Sequence, residues 1–302
     1  MMTWPGGQGT DLHIHGHARD LATPRTGPAE ILSTAELSVA ISPEREVQSL
    51  SLEPGPDHLQ ELVGVSAGRG FRRALAAAFA ADRDPHGLGY FLIEDLPTAG
   101  LISTFALSRR PELLDAFYEI SRRPASQIKG VCSGYRSGGL AIRARAAGLN
   151  LDQNIAIVAA LADDDDPLAW HDLRVPSDVA MCRRRRLDVW AEADHYRVNA
   201  MFRDNTWEPD GDESIVHEYE LTATVDATTL TSLEATPRVL PYPECPMAVD
   251  ELQRCIGFDV AGLRTSILDT LRGIDGCTHL NDMLRSLAEL PTLLPHVVTR
   301  DS

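Results

Sequence analysis

The residues best suited to chemistry lie in the segment Asp275-Gly276-Cys277-Thr278-His279, at the start of a predicted helix. Thr278 is the predicted N-cap of this helix. Free backbone N–H groups at a helix start favour negative charge, so the pattern predicts a stabilised thiolate at Cys277. Cys277 is therefore a candidate nucleophile, and His279 is a candidate general acid or base. In the structural alternative, Gly276 allows a turn and Cys277 packs as a small apolar group.

A second candidate group lies in the proline-rich loop Tyr242-Pro243-Glu244-Cys245-Pro246. Prolines restrict the backbone and thereby hold neighbouring side chains in place. Glu244 is a candidate partner for His279, as is Asp275, and Tyr242 is a candidate donor to an oxyanion. The alternative is a simple chain reversal.

Cys245, Cys277 and His279 together offer three ligands to zinc or iron. No Cys-x-x-Cys pair and no zinc-finger spacing occur, so metal binding is the alternative rather than the favoured interpretation. The glycines form no nucleotide-binding fingerprint, and neither a G-x-S-x-G elbow nor an HExxH helix is present. We therefore expect no organic cofactor.

Other side chains are candidates for substrate binding. His217 and Tyr219 alternate along one predicted strand, so both project from the same face. The glycine-rich segment KGVCSGYRSGG adds Cys132, Tyr135 and Arg136. Surface or core packing is the structural alternative for each of them.

Further histidines and arginines are interpreted as surface groups. His13, His15 and His17 lie on one face of a predicted strand, which suits either a solvated surface or metal chelation. His195 is interpreted as a surface or core residue. The run Arg183–Arg186 is interpreted as a solvated strand entry that balances Asp163–Asp166, with a carboxylate or anion site as the alternative.

These residues sit on a unit that the chain contains twice. Four pairs of similar segments occur in the same order, which favours internal duplication. They are ILSTAEL (31–37) with IVHEYEL (215–221), VQSLSLEP (47–54) with LTSLEATP (230–237), LQELVGV (59–65) with LQRCIGF (252–258), and GYFLIEDL (89–96) with GCTHLNDM (276–283). In the last pair Tyr90 and Leu92 stand opposite Cys277 and His279, so the copies differ chemically.

Hydrophobic periodicity predicts the elements that position the site. Strands are predicted at Leu187–Val198, Ile215–Val225 and Leu230–Leu233, and helices at Pro111–Arg122, at Asp250–Leu271 divided near Gly257 and Gly262, and at Thr278–Leu290. The run PRVLPYPECP is predicted to be a rigid loop, and Asp163–Pro167 a solvent loop.

The fold class that follows is α+β. Each repeated unit is predicted to be an antiparallel sheet with helices packed on one face, and a pseudo-two-fold axis relates the two. The predicted divisions are residues 1–110 (first repeat), 111–180 (joining segment) and 181–302 (second repeat). A fused pair of this kind is expected to be a monomer with its pocket between the repeats.

Composition restricts the partners. The net charge of −16 argues against nucleic acid and anionic membranes as partners. No apolar run reaches the roughly 18 residues of a membrane helix, and the N-terminus does not resemble a signal peptide. Five dispersed cysteines indicate a reducing cytoplasm.

Three motifs carry a family resemblance: P-x-x-x-C at Pro241–Cys245, L-x-x-x-I-G at Leu252–Gly257, and GCTHL at Gly276–Leu280. With them, the stretch Tyr242–Leu290 resembles the bacterial domain of unknown function 2889 family. The segment around Cys132 resembles the tail that follows the GCTHL helix in that family. The resemblance implies a fused pair in which each half kept a different part of one ancestral site.

The resemblance implies small-molecule metabolism, of aromatic or polycyclic compounds, without fixing an activity. Three functions follow. The favoured one is a lyase, isomerase or cyclase that uses acid–base catalysis on an apolar substrate. The alternatives are a metal or iron–sulfur protein, similar in element order to cluster scaffolds, and a non-catalytic ligand-binding module.

Overall fold

The structure, a computed structural model, describes residues 1–24, 27–68, 70–79, 87–121, 124–149, 153–161, 166–208 and 210–297. The chain is a mixed α and β protein with a large antiparallel sheet and helices. It divides into two units: unit 1 is Met1–Ala106 with Leu161–Cys182, and unit 2 is Leu107–Ala160 with Arg183–Ser302. Residues 111–180 are thus shared between the units.

Unit 1 is built on antiparallel strands in the order β4-β3-β2-β1. They are β1 (Met2–Thr3), β2 (Leu12–Ala22), β3 (Glu30–Ile41) and β4 (Val47–Glu53). The helices are α1 (Phe71–Phe79), α2 (Leu88–Glu94) and α3 (Leu96–Ile102), and α2 packs on β2 and β3. Leu37, Val39 and Leu50 point into the core because successive strand side chains face opposite sides.

Unit 2 begins with helical segments and continues with long strands. The helices are α4 (Leu114–Ser121), α5 (Ala125–Ile128) and α6 (Leu140–Ala146). The strands are β5 (Ala156–Val158), β6 (Ala180–Glu192, in this unit from Arg183), β7 (His195–Trp207), β8 (Glu213–Asp226) and β9 (Thr229–Val239). β7 lies between β6 and β8, and β5 and β9 pair with successive parts of β8.

Helices cover the core of unit 2 after β9. A 3-10 helix at Cys245–Cys255 precedes α7 (Leu263–Thr270), α8 (Thr278–Ser286) and α9 (Leu290–Leu293). The predicted stripe on the Thr278–Leu290 segment is buried: it joins side chains of β7 and β8 in one core, through Leu280, Met283, Leu284, Leu287 and Leu290. The helix therefore holds its first turn, with His279, against β7.

Several predicted elements are confirmed. The segment Ile215–Val225 lies within β8, and Leu230–Leu233 lies within β9. Pro111–Leu113 forms a 3-10 turn that leads into α4, as the periodicity predicted up to Ser121. The loop predicted for the PRVLPYPECP run is confirmed only for residues 240–244, because Pro237–Val239 end β9 and Cys245 begins a 3-10 helix.

Two predictions are wrong. The strand at Leu187–Val198 is two strands, because the tight turn between β6 and β7 passes through Ala193 with φ 54° and interrupts the alternation. The predicted division of the Asp250–Leu271 helix is confirmed at Gly257, because this residue adopts φ 90°, which a helix does not allow. Cys277, not Thr278, is the N-cap of α8, and it makes no side-chain cap hydrogen bond.

The predicted acidic loop Asp163–Pro167 depends on residues 162–165, which lie outside the described residues, as does Arg122 of the predicted first helix. No helix in the described ranges combines the length and apolar character of a membrane span.

Candidate functional site

A buried ion pair anchors the site in unit 2. Asp204 on β7 has a fully buried side chain, and Arg183 on β6 is 5% exposed. Arg183 Nε and Nη2 donate to the two Asp204 oxygens at 2.8 and 3.0 Å, and Nη1 donates to Asp282 Oδ2 at 3.0 Å. The guanidinium fork suits this two-point contact. The predicted solvated role is therefore wrong for Arg183, which binds carboxylates instead.

Two histidines converge on the same carboxylate. His217 on β8 is the cross-strand partner of Asp204, and its Nδ1 lies 3.4 Å from Asp204 Oδ2. His279, in the first turn of α8, places Nε2 3.7 Å from that oxygen. The two imidazole rings stack with centroids 3.4 Å apart and planes inclined by 18°. We call Asp204, His217 and His279 the histidine cluster.

Electrostatics favour a negative carboxylate beside neutral imidazoles. Burial alone would raise the pKa of Asp204, but the charge of Arg183 and its two hydrogen bonds hold that pKa well below its usual value. Burial lowers the pKa of His217 despite the opposing effect of Asp204. Burial and the neighbouring His217 lower the pKa of His279 well below its usual value. Both imidazoles therefore remain neutral at pH values at which exposed histidines are protonated.

The ring nitrogens that face Asp204 have no hydrogen-bond partner. This applies to His217 Nδ1 and His279 Nε2 within the described residues. On the other side of its ring, His279 Nδ1 lies 3.9 Å from Cys277 Sγ. Two buried imidazole nitrogens thus flank one carboxylate oxygen without a hydrogen-bond partner among the described residues, which is uncommon for buried polar atoms.

Next to the histidine cluster lies a group of thiols. Burial and the Cys277, Cys245 and Cys132 thiols raise the pKa of the Tyr219 hydroxyl well above its usual value. Tyr219 is fully buried, and its hydroxyl lacks a hydrogen-bond partner among the described residues. We call Cys132, Cys245 and Cys277 the thiol cluster.

Backbone contacts bring the Cys132 segment to this place. Ser133 N–H donates to the Gly276 carbonyl at 2.8 Å, and Ser133 Oγ donates to the Glu244 carbonyl at 2.6 Å. A Cβ on Gly134 would lie 2.7 Å from Cys245 Sγ, so only glycine permits this approach. The segment around Cys132 thus contacts both predicted motifs within unit 2.

The predicted thiolate at Cys277 is wrong. Burial raises the pKa of Cys277, and this effect outweighs the N–H groups of Leu280 and His279, which act in the opposite direction. Burial raises the pKa of Cys132 to about 11 and also raises that of Cys245. All three are therefore thiols at neutral pH and poor nucleophiles.

Other predicted residues lie around the loop that precedes the 3-10 helix. Glu244 Oε1 accepts from Leu140 N–H at 2.7 Å, which fixes the start of α6 rather than orienting His279. The rings of Tyr242 and Tyr135 lie 5.6 Å apart. Arg136 contacts Met247 Sδ at an exposed position.

Asp275 is also displaced from its predicted role. It lies 3.0 Å from Arg254 in an ion pair whose side chains are 45% and 46% exposed. The carboxylate next to His279 is Asp204. Sequence reasoning missed Asp204; the available signal was the Arg-Asp dipeptide at 203–204, which also occurs at 19–20.

The predicted metal ligands are not brought together as a set. Among the described residues, the histidine cluster is the group whose potential ligand atoms all lie within 4.8 Å of one another. Of the alternative set Cys245, Cys277 and His279, it contains only His279. His13, His15 and His17 lie on β2, where His15 contacts Ser38 and His17 lies 3.6 Å from Glu36. His195 lies beside Asp194 and Glu192 near the surface.

Comparison with known proteins supports the family resemblance. Residues 181–292 match the family described as "Protein of unknown function (DUF2889)", and this confirms the resemblance predicted from the GCTHL motif. The match spans β6–β9 and the helices that follow, and so includes the whole histidine cluster. Neither the curated proteins nor the solved structures gave a match.

Proposed function

We propose that unit 2 is a small-molecule enzyme of the lyase, isomerase or cyclase type, and that it transfers protons at the histidine cluster. One observation carries this proposal: two buried, unpartnered imidazole nitrogens flank the Asp204 carboxylate. Burying unsatisfied polar atoms costs free energy, so such an arrangement is better explained by reaction chemistry than by stability.

The surrounding residues suit fixed roles. Arg183 holds Asp204 through two hydrogen bonds, which keeps the charge of the centre in place without reorganisation. His279 is the cluster member nearest to solvent, with a side chain 12% exposed, and is therefore where a substrate reaches the centre. Tyr219 supplies a hydroxyl donor beside the Cys277 thiol.

The thiol cluster is proposed to line the site rather than to attack the substrate. Raised thiol pKa values leave little thiolate at neutral pH. Phe202, whose ring lies 6.2 Å from that of His279, and Leu280 add apolar surface. This lining favours a small, largely apolar substrate without an organic cofactor. The five free cysteines fit the proposed cytoplasmic location.

We also propose that the chain arose by duplication, and strand register supports this. β2 pairs with β3 as β7 pairs with β8: Gly16 lies opposite Leu37, and Ala200 lies opposite Leu221. The register shift after Asp20 recurs after Asp204. The hairpins that follow also correspond, with a register shift after Ala40 and another after Thr224.

The duplication makes unit 1 an internal reference for the site. Asp20 corresponds to Asp204, but its cross-strand partner is Ser33, which donates to Asp20 at 2.6 Å where His217 stands in unit 2. The paired motifs place Leu92 opposite His279. Unit 1 therefore keeps the carboxylate without the imidazoles, and we assign the chemistry to unit 2. All three residues of the histidine cluster belong to unit 2, so this site does not depend on the predicted pocket between the repeats. That pocket stays a prediction.

The proposal is tested by proton exchange. A panel of small apolar carbonyl and enoyl compounds is incubated with the protein in D₂O, and deuterium uptake or conversion is followed by mass spectrometry. We expect uptake into at least one compound class, its loss in His279→Gln, and no change in Ser33→Ala, which alters the position in unit 1 that corresponds to His217. Circular dichroism verifies folding. Uptake that persists in His279→Gln rules out the proposed centre.

A further inference from the structure

We infer that the histidine cluster binds one divalent transition-metal cation, and that zinc suits its ligands best. The chemical role of the cation rests on the proposed function: a water molecule bound to the cation would be the group that exchanges the proton. The binding itself is a separate claim about Asp204, His217 and His279.

The ligand atoms have the spacing that one cation requires. Zinc binds imidazole nitrogen and carboxylate oxygen at about 2.1 Å, so two ligands in a tetrahedral arrangement lie about 3.4 Å apart. His217 Nδ1 and His279 Nε2 lie 3.4 and 3.7 Å from Asp204 Oδ2. Because the two rings stack with planes only 18° apart, one imidazole has to rotate out of the stack before both nitrogens point at one cation.

The ligand atoms are also free to bind. Neither imidazole nitrogen has a hydrogen-bond partner within the described residues, and the His217 side chain is only 6% exposed. A cation would satisfy both nitrogens at once. Sets of three ligands of this kind, two histidines with one carboxylate, are typical of open zinc and iron(II) sites.

Residues behind the ligands fix their orientation, as metal sites require. Cys277 Sγ lies 3.9 Å from His279 Nδ1, so the opposite nitrogen, Nε2, is the one presented to Asp204. Arg183 holds both Asp204 oxygens but contributes one N–H to Oδ2, and an ionised carboxylate oxygen has a second acceptor site. Arg183 also pairs with Asp282, which offsets part of its positive charge.

Three protein ligands leave a position for water, which distinguishes reactive zinc sites from structural ones. A bound cation lowers the pKa of such a water to about 7. The water loses a proton to solvent, and the resulting hydroxide accepts the proton that the substrate releases and becomes water again. His217 and His279 then act as ligands, and the proton transfer takes place beside them.

The binding experiment uses the full chain. Protein stripped with EDTA is titrated with zinc by calorimetry and then dialysed for elemental analysis, and we expect about one zinc per chain. Loss of a residue that only orients a metal ligand typically weakens metal binding 10- to 100-fold. His217→Gln and Asp204→Asn remove ligands themselves, so each should weaken zinc binding by about 100-fold or more.

Two matched controls test for other zinc sites. The triple variant His13→Gln/His15→Gln/His17→Gln removes the surface histidines of β2, and Ser33→Ala alters the position in unit 1 that corresponds to His217. We expect both to bind zinc as the wild type does. Zinc that disappears with the surface histidines, but persists in Asp204→Asn, overturns the inference.

X-ray absorption on the zinc-loaded wild-type protein identifies the ligands without using any variant, so the result does not depend on whether the variants fold. We expect nitrogen and oxygen neighbours at about 2.0–2.2 Å, whereas a sulfur shell at about 2.3 Å would place the cation in the thiol cluster and contradict the inference. Absence of zinc binding also overturns it but leaves direct acid–base catalysis intact. Zinc binding in a protein without any exchange activity contradicts the proposed function alone.

Discussion

Asp204→Asn tests the buried ion pair on which the site is built. The substitution keeps the size and shape of the side chain and removes its charge. Arg183, only 5% exposed, then retains its contact with Asp282 but faces an amide in place of the second carboxylate. The variant therefore isolates the charge contribution from packing.

The expected loss of stability is large for a single atom change. Removing one partner of a buried ion pair costs about 3–5 kcal/mol because the other charge stays buried without compensation. Since Asp282 still pairs with Arg183, we expect the lower end, about 3 kcal/mol. Asp20→Asn is the matched control in unit 1: Asp20 bonds to the exposed Ser33, so its loss should cost under about 1 kcal/mol.

The assay is urea unfolding at neutral pH in EDTA, followed by circular dichroism and tryptophan fluorescence. EDTA removes any stabilisation by bound metal, so the comparison concerns the ion pair alone. If Asp204→Asn unfolds within about 1 kcal/mol of the wild type, or no more easily than Asp20→Asn, the ion-pair reasoning is refuted.

Three further predictions concern neighbouring positions. Gly276→Ala should lower the free energy of unfolding by about 2 kcal/mol, because a Cβ there collides with the Leu271 carbonyl oxygen. The control Gly262→Ala should be nearly neutral, because the nearest neighbour of its Cβ would lie 3.8 Å away. Equal effects of the two substitutions in urea unfolding would contradict this prediction. Tyr219→Phe should leave metal-free stability unchanged or raise it by about 1 kcal/mol, because the buried hydroxyl is unpartnered; a loss above about 1 kcal/mol would show a hidden hydrogen bond. The rate of Cys132 alkylation should keep rising above pH 9, because burial raises the pKa of this thiol to about 11. The rate is measured by mass spectrometry, with Cys132→Ser as the control. A rate that stops rising near pH 9 would show a thiol with an ordinary pKa.

Local patterns predicted the elements but not the partners of buried charges. The alternation in β8 and the stripe on α8 directly reflect burial, so both were readable from the sequence. The break at Gly257 was anticipated because glycine permits a positive φ. The turn at Ala193 was not, because alanine seldom adopts φ 54° and the apolar alternation continues past it.

The candidate site was only half predictable for a related reason. His217, His279 and Cys277 stood out by residue type and by their positions on a strand and at a helix start. Asp204 stood out neither by residue type nor by position, since its role depends on a contact with Arg183 across strands. Burial also reversed the predicted effect of the helix start on Cys277, because desolvation of a thiolate outweighs a few N–H groups.

The most direct test of the central claim, that Asp204, His217 and His279 form one buried reactive centre, is a histidine ¹⁵N NMR titration of the metal-free protein. Because burial lowers the pKa values of His217 and His279, we predict that both stay neutral as the pH falls below 6.5, and that zinc shifts these same two rings. If instead both rings are protonated near pH 6.5 and do not respond to zinc, the account is contradicted.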